Sequence, residues 1–225
     1  MIVYWNVYRG EQMRVKVRVS RSVWVMMAGV AVLGVGTAWR SELLLTEIWG
    51  KVWPWLVVAA AAGLHELGHL VAAWGVGVKI DALRIGLMGA RLEMRGLPSY
   101  AQEMAVAAGG PFVNGVSAAL AYPFLAVRGS EDWLGLFFGA SVILGVINLL
   151  PIRTLDGGRM LGSFAAWAWG DRVSATLIQV STGLCIGAFW MLSAYALLRV
   201  GNMLSAFVFS LCLLLRVSSE APDIS

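Results

Sequence analysis

The sequence predicts an all-α integral membrane protein with about six transmembrane helices and a small β-hairpin between helices 2 and 3. Hydrophobic residues make up 59% of the 225 residues and charged residues only 13%, whereas soluble domains average about 45–50% apolar residues. Several apolar runs reach the roughly 20 residues that a helix needs to cross a bilayer. Only one connection between these runs alternates polar and apolar residues over a strand-like length.

The apolar runs predict membrane helices at six places along the chain. These are residues 22–39, 52–76, 101–127, 132–150, 173–198 and 201–216. Residues 78–97 alternate in the manner of a β-hairpin that turns near Met88 and Gly89. This hairpin is either a plain connector or a sheet edge to which an extended substrate adds as a strand. Residues 14–19 also alternate, which fits a short strand or a basic strip on the membrane surface.

The positive charges predict the orientation of the chain. Thirteen of the 17 Lys and Arg residues lie in the N-terminal segment, the hairpin, the connection between spans four and five, and the tail. Cytoplasmic loops are enriched in these residues, so both termini are expected in the cytoplasm. We expect a cytoplasmic segment at 1–21, a membrane core at 22–216 and a short cytoplasmic tail at 217–225 without a CBS or PDZ domain. Because the net charge of +4 is spread over loops, no nucleic-acid partner is predicted.

The second predicted span contains a metal-binding motif, Leu64-His65-Glu66-Leu67-Gly68-His69. In a helix the two histidines of H-E-x-x-H lie one turn apart on one face, so both can bind one ion. Glu66 is turned about 100° from His65, so its carboxylate can act on a metal-activated water as general base. Ionisable groups are costly within a membrane span unless paired or metal-bound. The motif therefore predicts a site for one Zn²⁺ ion.

A zinc site of this kind needs a third protein ligand. The chain has only two histidines, so this ligand is an acid, a cysteine or a weaker group. Asp156 is the best candidate, because it follows the inner end of span four, and spans two and four run in the same direction. The alternative role for Asp156 is a helix N-cap or a turn residue at the membrane surface.

Three motifs together resemble those of the site-2 protease family: HELGH, AGGPFVNG and NLLPIRTLDGGRML. The likeness covers roughly residues 22–216 and is greatest to the sporulation branch, the stage IV sporulation protein FB type. It implies a six-span core, zinc held by His65, His69 and Asp156, and hydrolysis of a membrane-associated regulator assisted by Glu66. In that branch the substrate is a pro-sigma factor. The short tail departs from the branch, which commonly carries a C-terminal CBS domain.

Two asparagines of these motifs are further candidate site residues. Asn114 and Asn148 lie in apolar spans, where an amide either hydrogen-bonds a neighbouring helix or binds the substrate backbone or oxyanion. Gly109, Gly110 and Gly115 are expected to permit close helix packing rather than to take part in chemistry.

The function predicted from sequence is that of a membrane metalloendopeptidase in the cell membrane, with its active site toward the cytoplasm. Its expected partners are a membrane-associated protein substrate, the lipid bilayer and an inhibitory membrane protein. The main alternative is a catalytically inactive metal-binding scaffold, and a zinc enzyme with a non-peptide substrate is a further one. A metal transporter is disfavoured, because it needs polar groups along a path across the bilayer.

Overall fold

The computed structural model describes residues 2–7, 13–19, 44–86, 89–128 and 132–200. The chain divides into two compact units, residues 1–145 and 146–225. The strands are β1 (Ile2–Val7), β2 (Met13–Val19), β3 (Ile80–Gly86) and β4 (Gly89–Met94). The helices are α1 (Leu44–Gly75), α2 (Tyr100–Arg128), α3 (Asp132–Asn148), α4 (Asp156–Trp169) and α5 (Asp171–Val200). The predicted helices at 22–39 and 201–216 lie outside the described residues.

Three of the described helices are long and apolar enough to cross a membrane. Their spanning parts are Val52–Gly75 in α1, Tyr100–Leu125 in α2 and Asp171–Tyr195 in α5. Many large apolar side chains of these helices are exposed, among them Trp55, Phe112 and Leu184, as expected of surfaces that face lipid rather than water. The chain is therefore a membrane protein, as its composition predicts, and the count of six spans stays a prediction.

Two helices differ from their predicted form. The run at 132–150 forms α3, whose 17 residues extend about 25 Å, less than the roughly 30 Å of a hydrocarbon core. Helix α4 was not predicted, because Asp156-Gly157-Gly158 has the composition of a turn. The two glycines instead begin a helix, where Gly157 packs against the carbonyl of Leu149 and Gly158 against that of Ile152. This close packing outweighs the low helix propensity of glycine, about 1 kcal/mol per residue.

The predicted hairpin is confirmed, and it belongs to a larger sheet. Strands β3 and β4 pair antiparallel with Gly86 opposite Gly89, and the sheet order is β1-β2-β3-β4. Of the two possibilities for residues 14–19 the strand is correct, because β2 pairs in parallel with β3. Strand β1 was not predicted; it pairs antiparallel with β2.

Local chemistry explains where α2 begins and how it is joined to α1. Ser99 and Gln102 form a capping box: the Ser99 amide donates to the Gln102 side chain at 2.9 Å, and the Gln102 amide donates to the Ser99 hydroxyl at 3.3 Å. Gln102 also donates from Nε2 to the carbonyl oxygen of Val76 at 2.9 Å. These bonds fix the start of α2 beside the end of α1.

Helices α1 and α2 cross at two glycines. A β-carbon on Gly68 would collide with the backbone of Gly109, and one on Gly109 would collide with the backbone of Gly68 and lie 2.7 Å from Cβ of Ala72. The backbones thus approach as closely as small residues permit in membrane bundles. The expectation for Gly109 is confirmed, whereas Gly115 has nothing within 4 Å of its would-be β-carbon.

This crossing predicts a stability difference between two alanine substitutions. Gly109→Ala should lower the free energy of unfolding by about 1–3 kcal/mol, the usual cost of overpacking, because rigid backbone stands where the methyl group must go. Gly115→Ala is the matched control in the same helix and should cost nothing. Thermal unfolding in detergent checks both, and equal melting temperatures for the two variants would contradict the crossing.

In the second unit, α5 supports the segment that leads into α4. Ser181 donates its hydroxyl proton to the Pro151 carbonyl at 2.8 Å, and the Arg153 amide donates to the Thr182 hydroxyl at 3.0 Å. Ser174 donates to the Gly162 carbonyl of α4 at 2.8 Å. These contacts hold the start of α4, where Asp156 lies, in a fixed local conformation.

Candidate metal centre

The two predicted histidine ligands lie side by side on α1. His65 and His69 are only 5% and 4% exposed, and their Nε2 atoms are 3.2 Å apart. Two nitrogens that each bind a tetrahedral zinc at about 2.0–2.1 Å are about 3.3 Å apart. The spacing of four residues in H-E-x-x-H therefore brings these two nitrogens to the separation that one zinc ion requires.

The tautomer of His69 is set by a backbone carbonyl of α2. His69 Nδ1 lies 2.7 Å from the carbonyl oxygen of Val106, a distance that requires a proton between them, and only the ring can supply it. This short contact favours Nδ1 as the donor and leaves the lone pair on Nε2, over the longer contact of 3.3 Å in which Nδ1 accepts from the Gly110 amide. Metal-binding histidines typically have this arrangement, in which a hydrogen bond to the far nitrogen fixes the ring.

A glycine on α2 makes room for both rings. A β-carbon on Gly110 would press on Nε2 of His69 and would lie 2.7 Å from both Cε1 and Nε2 of His65. Gly110 therefore permits close packing, as predicted, and the groups that pack against its backbone are the two imidazole rings. The sequence pattern Gly109-Gly110-Pro111 contained this signal, but it did not distinguish helix packing from contact with a site.

The structure brings the predicted site residue Asn114 to a histidine. Its side chain is 0% exposed, and its Nδ2 atom lies 3.2 Å from Nδ1 of His65. Asn148, the other one, is the last residue of α3 and is half-buried. Its predicted part in substrate binding or oxyanion stabilisation stays a prediction.

The structure places Glu66 on α1 and Asp156 at the start of α4. Glu66 is half-buried on α1, next to the fully buried His65, so its carboxylate is not sealed in the helix packing. Asp156 is the first residue of α4 and is 7% exposed. Leu155 occupies the N-cap position, so the N-cap alternative for Asp156 is wrong. Arg159 lies 3.6 Å from the Asp156 carboxylate.

The donor set fits zinc. Imidazole nitrogen and carboxylate oxygen are common zinc ligands, and catalytic sites often combine two histidines with one carboxylate. The buried pair of converging Nε2 atoms, one of which has its lone pair fixed by Val106, is the feature that a metal ion satisfies best. The fold and the site thus define a membrane protein with a buried H-E-x-x-H histidine pair that could hold a metal ion.

Comparisons with known proteins agree with this class. The family model described as Peptidase family M50 matches residues 125–192. A candidate zinc metalloprotease of Synechocystis sp. is 28% identical over 184 residues, which is 76% of this chain and 44% of that protein. The candidate zinc metalloprotease Rip3 of Mycobacterium tuberculosis is 30% identical over 149 residues, 57% of this chain and 37% of that protein. The chain spans less than half the length of these curated relatives.

The fold has a solved counterpart. The site-2 protease from Methanocaldococcus jannaschii matches with a TM-score of 0.59 at 18% identity, over 99% of this chain and 97% of that one. At this identity the match shows a shared fold.

Proposed function

We propose that the protein is a zinc-dependent intramembrane endopeptidase in which His65, His69 and Asp156 hold one Zn²⁺ ion. The observation that carries this proposal is the buried pair of Nε2 atoms 3.2 Å apart on a helix whose intervening sequence supplies a glutamate. The third ligand is supported by the chemistry of the donor set: Asp156 is buried at the start of α4, and catalytic zinc sites often combine two histidines with one carboxylate. The names of the curated relatives support the same metal and activity.

In the proposed mechanism Glu66 moves the protons. Zinc, when bound, polarises the scissile carbonyl and lowers the pKa of a water toward about 7. Glu66 accepts a proton from the attacking water, and the water oxygen bonds to the carbonyl carbon. Glu66 then delivers that proton to the amide nitrogen as the C–N bond breaks. His65 and His69 would hold the metal, and the α2 backbone at Gly110 packs against both imidazole rings.

The substrate is a membrane-associated protein whose cleavable segment is extended. A carbonyl within a helix is hydrogen-bonded along the chain, so the segment must unwind before water can attack it. Strand β4 has a neighbour on one side only in the described sheet, and a free strand edge can bind an extended peptide by backbone hydrogen bonds. We therefore propose β4 as the strand onto which the unwound substrate adds. A pro-sigma factor is the substrate that the sporulation branch suggests.

The proposed orientation places both termini and the metal centre on the cytoplasmic side of the cell membrane. Its support is the concentration of Lys and Arg residues in alternate connections. An inhibitory membrane partner completes the proposal, since an endopeptidase acting on regulators needs control of its activity.

Reconstitution with defined peptides tests this function. The purified protein is placed in liposomes with single-span peptides that carry a fluorophore and a quencher on either side of a Gly-Pro helix break. Wild type should cleave them, and chelation should abolish cleavage until zinc is restored. Bound zinc with no cleavage of any such peptide would favour the inactive scaffold.

The third ligand is tested by Asp156→Asn. The neutral amide is a weaker ligand, so the zinc dissociation constant should rise by more than about 100-fold, beyond the usual effect of outer-shell partners, and cleavage should be lost. Asp171→Asn is the matched control, because Asp171 is likewise the first residue of a helix but is exposed. Competition with a chromogenic chelator measures both constants. Wild-type affinity in the Asp156 variant would remove this residue from the ligand set.

A further inference from the structure

Asn114 has one amide end bonded and the other end without a partner. The Nδ2 atom lies 3.2 Å from His65 Nδ1, while Oδ1 is buried and has no hydrogen-bond partner among the residues that the structure describes. Buried polar atoms are nearly always hydrogen-bonded, because a buried unpaired acceptor costs about 1–3 kcal/mol. The arrangement around Asn114 thus satisfies only half of a fully buried amide.

The protons can be followed from Asn114 to Val106. If Asn114 donates to His65 Nδ1, His65 carries its own proton on Nε2, and this Nε2–H donates to His69 Nε2 at 3.2 Å. His69 passes the chain on by donating from Nδ1 to the Val106 carbonyl. Each ring then has one nitrogen as donor and the other as acceptor. This chain of bonds occupies both Nε2 atoms, and at His69 Nδ1 it uses the shorter contact to Val106 (2.7 Å) rather than the longer one to the Gly110 amide (3.3 Å).

Metal binding requires the opposite arrangement at His65. Its Nε2 must offer a lone pair to the metal, so the ring proton moves to Nδ1, and Nδ1–H then faces the NH₂ group of Asn114, donor against donor. The two ends of an amide have nearly the same shape. A half-turn of the Asn114 amide therefore brings Oδ1 to His65 Nδ1, where it accepts the proton and acquires the partner that it lacks.

We propose that Asn114 is a positioning residue of the metal centre, whose amide turns so that Oδ1 accepts a hydrogen bond from His65 Nδ1 when metal binds. Asn114 thereby does for His65 what the Val106 carbonyl does for His69. Each imidazole has an acceptor on α2 behind it, one from a side chain and one from the backbone. The inference rests on the proposed metal site but not on the proposed proteolysis.

Three variants test this inference through zinc affinity. Asn114→Leu keeps a similar volume and removes the acceptor, and we expect the zinc dissociation constant to rise about 10–100-fold, as for other outer-shell partners. Asn114→Asp keeps an acceptor that cannot donate when ionised, so its affinity should equal or exceed that of wild type. Ser141→Ala is the control, because Ser141 is also 0% exposed with an unpartnered side-chain oxygen. Its affinity should not change.

The readouts are the zinc dissociation constant in detergent, by chelator competition, and the melting temperature of the metal-free protein. A dissociation constant for Asn114→Leu within about twofold of wild type would overturn the inference, given that outer-shell partners contribute about tenfold or more. If zinc affinity is unchanged and only the melting temperature of Asn114→Leu falls, Asn114 serves helix packing. If only the KM for peptide cleavage rises, Asn114 serves substrate binding. If wild type binds zinc without cleaving peptides, proteolysis fails while the affinity series still decides the role of Asn114. If wild type binds no zinc, both proposals fail.

Discussion

Replacing Glu66 by Gln is expected to lower the rate of peptide cleavage by about 10²–10⁴-fold, the usual contribution of a general base, while the bound zinc remains. Gln has nearly the same shape as Glu but cannot accept the proton of the attacking water. Glu66 is not among the proposed ligands, so the amide leaves the metal in place. The measurement is single-turnover cleavage in liposomes together with the zinc content of the same sample.

The matched control for this prediction is Glu103→Gln. Glu103 is also a half-buried glutamate on a membrane helix, in the first turn of α2, and its replacement removes the same charge. Cleavage by the Glu103 variant should equal that of wild type. Retained cleavage by Glu66→Gln would assign the proton transfer to another group, and loss of zinc in that variant would make Glu66 part of the metal site itself.

The helices and the histidine pair could be predicted because their signals are local. A run of apolar residues about 20 long predicts a span whatever surrounds it, and the spanning parts of α1, α2 and α5 follow the runs at 52–76, 101–127 and 173–198 closely, although α1 itself begins earlier, at Leu44. The spacing of His65 and His69 likewise depends only on helix geometry. This spacing predicts that the two rings can meet, and their Nε2 separation of 3.2 Å agrees with it once the contacts from α2 have set the ring orientations.

The elements that could not be predicted depend on contacts between distant segments. Helix α4 begins at two glycines because carbonyls of the preceding segment pack against them, and nothing in the local composition indicates that packing. Strand β1 gains its place by pairing with β2, a long-range contact that the sequence alone does not reveal. Asn114 was recognised as a candidate from its motif, but its pairing with His65 depends on how α2 crosses α1.

The contacts that set the histidine rings are also long-range. Val106 acts through its backbone carbonyl, and Gly110 acts through the absence of a side chain. Neither role can be predicted from the residue type. Both lie on α2 near the crossing of Gly68 with Gly109. The crossing that stabilises the helix pair therefore also brings the α2 backbone to the metal centre, which links the packing of the fold to its chemistry.

This link predicts that Gly110→Ala removes metal binding. Its methyl group would press on Nε2 of His69 and would lie 2.7 Å from Nε2 of His65, so the nitrogens that bind zinc must move apart or be covered. We expect the zinc dissociation constant to rise by more than about 100-fold, because the added methyl group displaces both histidine ligands rather than an outer-shell partner. Cleavage should be lost with the metal. Chelator competition on the detergent-purified variant measures the affinity.

Gly115→Ala separates this effect from the general cost of a methyl group on α2, because a β-carbon there has open space around it. Its zinc affinity and melting temperature should match those of wild type. Gly109→Ala provides the second comparison: it strains the helix crossing next to Gly110, so a fall in stability without a comparable loss of zinc affinity should distinguish packing from metal binding. Wild-type affinity in Gly110→Ala would mean that the rings can leave the α2 backbone without losing the metal, and the close fit of Gly110 would then serve packing alone.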